Sequence, residues 1–317
     1  MLYFQVLDEN WTSITTVHLL GFQASPAIQY SVFFLFLSIC NVTICGNLLI
    51  ITLVFFSKSL HSPMYFFLSQ LSVSDILLVI DTLPGALNAT LVEEAIISFS
   101  DCITQLYFLC MSGGLECLLL TVMAYDRYLA ICKPLHYTLM MNRDLCFAFI
   151  ILCWTLSIVT VFYNILTIKK LQFCGPNIID HFFCDLYPLL ELSCSDTKIV
   201  QLESTIICVI FIVIPFFIII VSYVYIIITI LNIPSVTGRQ KAFSTCSSHL
   251  TVVSTYYGTL ICVYLAPTKG QLTNMTKYLS LLYVLVTPLL NPMIYSLRNK
   301  DLKNAFVKCI FEFTNKY

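Results

Sequence analysis

Charge is scarce in this chain of 317 residues: Asp, Glu, Lys and Arg make up 10% of it, against about 25% in an ordinary soluble domain. The 16 basic residues nearly balance the 17 acidic ones, leaving a net charge of −1. That removes the basic footprint a DNA- or RNA-binding protein needs. With 59% apolar residues, the chain is neither disordered nor a soluble cytosolic enzyme. Glycine is also scarce, at 9 residues. No Gly-x-Gly-x-x-Gly fingerprint occurs, and no phosphate loop ending in Gly-Lys-Ser/Thr. None of the 5 histidines opens a His-Glu-x-x-His zinc motif. Enzymes built on those motifs are thereby excluded.

What the chain does have is long stretches without charge. A helix needs about 20 mostly apolar residues to cross a bilayer. Ile28–Phe56, Leu145–Ile168, Ser204–Gly238, Ala242–Thr268 and Tyr278–Leu297 are uncharged and each admits one helix. Two further stretches carry acids inside: Pro63–Leu87 holds Asp75 and Asp81, and Cys102–Tyr125 holds Glu116. The fold expected is an all-α membrane protein, a seven-helix bundle over residues 27–298. An outer tail (1–26) precedes it, and a short amphipathic cytoplasmic helix and tail (299–317) come after it. A secondary transporter of a small apolar solute is the alternative of another class. It would show internal repeats and paired broken helices; no repeat is apparent, and seven spans do not divide into equal halves.

Lys and Arg set the orientation. With the N-terminus outside, 11 of the 16 lie on the inner side and 5 outside, as the positive-inside rule requires. A multi-pass plasma-membrane protein with a cytoplasmic C-terminus is expected. Residues 1–26 lack the basic start and apolar core of a cleavable signal peptide. Asn10-Trp11-Thr12 is the glycosylation sequon farthest from the membrane; Asn88 and Asn274 open two more.

Of the 15 cysteines, most lie in spans and read as small apolar residues. Cys102, Cys174, Cys184 and Cys194 fall on the oxidising side, where two bridges are plausible. Four cysteines permit three pairings, and spacing does not choose among them. His181 beside Cys184 and Asp185 reads as a loop imidazole rather than a metal site, and no metal is expected. Asp75 and Glu116 must face the bundle interior, because a carboxylate at mid-membrane costs about 2.5–3.5 kcal/mol. They form either a polar packing cluster with Asn47 and Asn291 or a sodium or proton site. Arg127 either pairs with Asp126 or snorkels to the interface.

The stretch Met123-Ala124-Tyr125-Asp126-Arg127-Tyr128-Leu129-Ala130-Ile131-Cys132-Lys133-Pro134-Leu135-His136-Tyr137 resembles the signature of olfactory (odorant) receptors, a family of rhodopsin-like G-protein-coupled receptors. Four other stretches agree: Gly46-Asn47, Pro63–Leu68, Lys241–Leu250 and Pro288–Asn299. The match runs from about residue 20 to residue 310, and its ending is similar to the tetrapod-type branch.

The resemblance implies a Cys102–Cys184 bridge and a Cys174–Cys194 bridge. It implies a buried ion site of Asp75, Glu116, Asn47 and Asn291, with Na+ as its occupant. Asp126, Arg127, Tyr128, Tyr223, Asn291, Pro292 and Tyr295 would form the switch that couples to the G protein. Tyr257 would be the aromatic toggle under the pocket. The implied partners are a small odorant, membrane lipid and a stimulatory, olfactory-type heterotrimeric G protein that raises cyclic AMP.

Periodicity adds candidates for the pocket. Leu106, Leu109, Cys110, Gly113 and Cys117 share one face of helix three at i, i+3, i+4 spacing, and Gly113-Gly114 leaves volume there. Val253, Tyr257, Leu260 and Tyr264 share a face of helix six, and Ile207 and Phe211 are candidates on helix five. This lining suits a small, neutral or weakly polar ligand. A ligand of about ten heavy atoms at roughly 0.7 kcal/mol per atom would bind with a Kd near ~10 μM.

Overall fold

A computed structural model describes residues 14–21, 25–92, 94–174, 176–265 and 273–314. The chain opens with strand β1 (Thr16–Leu20). Helix α1 (Pro26–Phe56) and helix α2 (Pro63–Leu91) come next, joined by a tight turn over Lys58–Leu60. Strand β2 (Glu94–Ser98) leads into α3 (Phe99–Cys132). Short α4 (Tyr137–Met140) precedes α5 (Arg143–Ile168). The outer loop carries β3 (Ile178–Ile179) and α6 (Leu186–Leu190). Helix α7 (Lys198–Cys208) runs through a wide π-type turn, Val209–Val213, into α8 (Ile214–Leu231). Helices α9 (Val236–Leu265), α10 (Thr273–Arg298) and α11 (Lys300–Thr314) complete the chain.

The helix starts obey local chemistry. Pro sits in the first turn of α1 and α2, where its missing N–H costs nothing. Ser98 caps α3 by accepting from Asp101 N, and Asn142 caps α5 by accepting from Leu145 N, satisfying donors that lack a helical partner.

Six helices among the described residues are long and apolar enough to cross a membrane, with α7 and α8 counted as one. The other long helix, α9, has 30 residues but carries Arg239, Gln240 and a polar run from Ser244 to His249. The expected window Ala242–Thr268 also extends past the described residues. Burial sorts the bundle. In the most apolar windows of α2, α3 and α10, 61%, 50% and 56% of residues are buried, against 22%, 22% and 17% in α1, α5 and α7–α8. The outer helices turn side chains such as Phe55, Phe56, Ile151 and Phe217 away from the protein, as lipid-facing surfaces do. Helix α3 lies at the centre, against α2, α5 and α8.

The all-α expectation omitted one feature. The stretch read as an outer tail supplies β1, the middle strand of a small sheet ordered β2-β1-β3. It runs antiparallel to β2, with His18 opposite Ile96, and parallel to β3, with Leu19 opposite Ile179. Val17 and Leu19 are fully buried beneath it. Gly21 ends the strand against α2, where an added Cβ would lie 1.5 Å from the Ala89 carbonyl oxygen. Neither backbone can yield cheaply, so Gly21→Ala should lift the strand and destabilise the protein by about 1–3 kcal/mol. Gly258→Ala, which meets nothing within 4 Å, should cost nothing. Melting temperatures of the two purified variants check this.

Candidate functional site

The half of the bundle beneath the disulfide-bearing loop holds a cavity of about 340 Å³. Leu109, Cys110, Gly113 and Gly114 of α3 form one wall. Val161 and Asn164 of α5, with Ser204, Ile207, Cys208 and Phe211, form a second. Tyr256 and Leu260 of α9 and Ser280, Tyr283 and Val284 of α10 form the third. The glycines make the space. A Cβ at Gly113 would sit 2.9 Å from the Tyr283 hydroxyl, and one at Gly114 would sit 3.1 Å from Phe211.

Phe183, Asp185, Leu186 and Tyr187 roof the cavity. The roof is held by the Cys102–Cys184 bridge to α3; a second bridge, Cys174–Cys194, closes the loop on itself. Gln105 adds a polar tie, accepting from Cys184 N at 2.8 Å and donating to the Asp81 carbonyl at 3.1 Å. His181 is buried beside Phe183, with ring centroids 4.4 Å apart. Burial holds its pKa below the ordinary histidine range, so it is a neutral packing residue. Among the described residues no His, Cys, Asp and Glu group could hold a metal.

Seven of the twelve pocket candidates therefore line the cavity: Leu109, Cys110, Gly113, Gly114, Ile207, Phe211 and Leu260; Cys117 and Val253 are buried in the core. Leu106 is buried in the core instead, and the side chain of Tyr264 lies outside the described residues, as does Asn10. Tyr257 packs behind the wall against Phe216, at 4.9 Å between centroids. Its neighbour Tyr256 is the tyrosine on the wall, donating to the Gly113 carbonyl at 2.8 Å and lying 3.0 Å from Cys117 Sγ. Asn164, Asp185 and the α10 residues were missed. The i, i+3, i+4 spacing of Ser280, Tyr283 and Val284 would have pointed to them. Asp185 puts one carboxylate on a lining expected to be uncharged, with Oδ1 accepting from Leu186 N at 2.7 Å.

Beneath the cavity Asp75 and Glu116 are both buried. The Asn291 amide donates to both Asp75 oxygens, at 3.2 and 3.1 Å, and to Glu116 Oε1 at 3.1 Å. No cationic side chain pairs with either acid among the described residues. Asn47 does another task. It donates to the Pro288 carbonyl at 3.2 Å, which the residue four positions on cannot satisfy, because Pro292 has no N–H. The ring of Pro292 also packs close to Gly46, where a Cβ would meet it at 3.2 Å.

At the far end Arg127 is buried and paired with Asp126 through Nε, at 2.9 Å, and Nη2. Tyr137 donates to the other Asp126 oxygen at 2.7 Å. Burial, and then the Asp126 carboxylate, push the Tyr137 hydroxyl above its ordinary range, so it stays a donor. Tyr137 lies inside the signature stretch, yet nothing in its spacing marks this contact. Tyr223 stacks on His249 and bonds its Nδ1 at 2.7 Å. The Tyr295 hydroxyl is buried without a hydrogen-bond partner among the described residues. Tyr128 faces away, toward Tyr125 and Tyr225.

A seven-helix receptor is the class this arrangement defines. The crystal structure of squid rhodopsin superposes with a TM-score of 0.73 at 18% identity, covering 90% of this chain and 86% of that one; the likeness establishes the fold. The sequence comparisons go further. Residues 34–313 match the olfactory receptor family model. Human olfactory receptor 10A7 is 46% identical, covering 96% of each chain. Human olfactory receptor 11L1 is 47% identical, covering 95% of this chain and 93% of that one. Rat olfactory receptor 1468 is 45% identical, covering 96% of each. The chain belongs to the olfactory receptor family: it is a multi-pass, odorant-sensing G-protein-coupled receptor and not an enzyme. The transporter alternative falls with that finding.

The roof depends on its bridge to α3, which spans 82 residues of sequence. Losing a loop closure of that length costs on the order of 4–5 kcal/mol. Cys102→Ser should abolish most surface expression, scored by staining of unpermeabilised cells.

Proposed function

We propose that the cavity binds one small, neutral or weakly polar odorant from the outer side, and that the bound form raises cyclic AMP through a stimulatory, olfactory-type G protein. The observation that carries this reading is a mostly apolar space of about 340 Å³ on the outer half of the bundle, aligned above a buried acid pair and a buried, paired arginine. Three features support the orientation, with the N-terminus outside at the plasma membrane. The two bridges lie on the cavity side. The sequon Asn10-Trp11-Thr12 precedes β1 in the sequence, and β1 lies on that side. Basic residues are concentrated at the other end.

The mechanism is a shift between two populations. An odorant moves the equilibrium only by its difference in affinity for the two states. In the resting state Asp126 and Tyr137 hold Arg127. In the active state the inner end of α9 swings outward, Arg127 leaves Asp126 to meet the G protein, and Tyr223 and Tyr295 repack beside it. Tyr256, with one face on the ligand space and its hydroxyl on α3, would pass the ligand's presence to α9.

Asp75, Glu116 and Asn291 form the candidate ion site. Two carboxylates sharing one neutral amide suit a hard cation that prefers oxygen. Sodium bound there would offset one unit of their charge and favour the resting state. Asn47 would hold α10 in register beside it.

Arg127→Ala should abolish the cyclic AMP response of cells carrying olfactory chaperones and G protein while surface expression persists. The ligands are found first by screening a panel of volatile compounds on the wild type. An unchanged response in the variant would sink the switch assignment. Wild-type receptor should melt higher in sodium chloride than in choline chloride, and Asp75→Asn should melt equally in both. A wild type indifferent to sodium would leave the acid pair as a shared-proton cluster.

A further inference from the structure

Lys277 opens the part of α10 that faces the cavity, and its side chain is only 7% exposed. An ammonium has three donors, and all three are used. They go to Asp180 Oδ1 at 2.5 Å, the Leu20 carbonyl at 2.7 Å and the Gly21 carbonyl at 3.2 Å. The nitrogen also lies 4.7 Å from the centre of the Phe182 ring, within range of a cation–π attraction. One buried cation thus joins three separate parts of the chain: the end of β1, the outer loop and α10.

Its place relative to the cavity gives the cluster a role. Ser280, one helical turn inward from Lys277, lines the cavity, and so does Phe183, three residues beyond Asp180. The ion pair therefore ties the roof to the α10 wall one turn above the cavity. The roof has a second attachment at its other side, the Cys102–Cys184 bridge to α3. That bond is covalent and stays closed. The α10 attachment is not covalent, and Asp180 keeps more than half of its side chain in solvent, at 56% exposure. Water can compete for Asp180, so of these two attachments this is the one able to open, with β3 still paired to β1 beside it.

We propose that the Lys277–Asp180 pair is the latch of the cavity, and that small apolar molecules enter from the outer face when it opens. The roof then turns on its α3 bridge, and the strand end at Leu20–Gly21 receives the lysine again on closing. The physiological meaning rests on the cavity being the odorant site. Entry itself does not, and it is measured without an odorant.

The cavity carries its own reporters, since the free thiols of Cys110 and Cys208 lie on its wall. The full-length receptor in lipid nanodiscs is exposed to methyl methanethiosulfonate, a small neutral thiol reagent. Mass spectrometry tracks each cysteine with time. Exposed Cys309 is the reference, and buried Cys153, away from the cavity wall, reports loss of fold. Lys277→Met and Asp180→Ala should each speed labelling of Cys110 and Cys208 at least about fivefold, the low end of ordinary coupling between sites. Cys153 and Cys309 should not change. The double variant should label no faster than the faster single variant, because one shared contact is removed. Unchanged rates at Cys110 and Cys208 would overturn the latch and point to entry through the lipid. A matching rise at Cys153 would overturn it too, making the pair a general structural tie. A silent odorant screen beside a positive labelling result would count against the odorant reading alone.

Discussion

Hydrocarbon offers no hydrogen bond, so a polar group placed inside this bundle finds a partner within the protein or stays unmet at a cost. The rest of the structure is arranged around that demand. Pro292 deprives the Pro288 carbonyl of its helical donor, and Asn47 supplies one from another helix. Asp75 and Glu116 share the amide of Asn291. Arg127 takes Asp126 from its own helix, and Tyr137 closes the remaining oxygen. The bonds of Asn47, Asn291 and Tyr137 each join two different elements of the fold, whereas the Arg127–Asp126 pair is local to α3.

The two ends of the molecule use different bonds. The outer end is built for retention. A covalent bridge, a strand inserted between two others and a lysine with all its donors engaged hold the roof over a largely apolar space. The inner end is built for exchange. Arg127 has one carboxylate, Tyr223 has one imidazole, and the Tyr295 hydroxyl has no hydrogen-bond partner among the described residues. An unmet hydroxyl deep in a protein is costly, and a rearrangement that meets it recovers that cost.

Much of this was legible in the sequence because lipid imposes a simple rule on composition. Charge-free windows located the spans, and the few charges inside them marked Asp75, Glu116 and Arg127. Helical periodicity found the α3 wall, because Leu109, Cys110 and Gly113 must share a face whatever surrounds them. Other features depended on tertiary geometry. Tyr256 and Tyr257 are adjacent and chemically identical, so only the rotation of α9 decides which one reaches the cavity. The roof residues depend on a bridge whose pairing spacing alone did not choose. Strand β1 has nothing in its composition to set it apart from a tail; it exists because β2 and β3 flank it. Lys277 read as one more outer basic residue, since no pattern in one dimension brings it to Asp180, Leu20 and Gly21.

The wide turn at Val209–Val213 separates two stretches of one long helix that face different tasks. Upstream, Ile207 and Cys208 look onto the cavity; downstream, Tyr223 meets His249. A turn of this kind accommodates one surplus residue and offsets the angular phase of the downstream residues. Because the offset is absorbed locally, the outer stretch can drift in composition, and even slip in rotation, without turning Tyr223 off its imidazole. A lineage of such receptors could explore new chemical tastes at one end of the helix while leaving the gearing at the other end untouched.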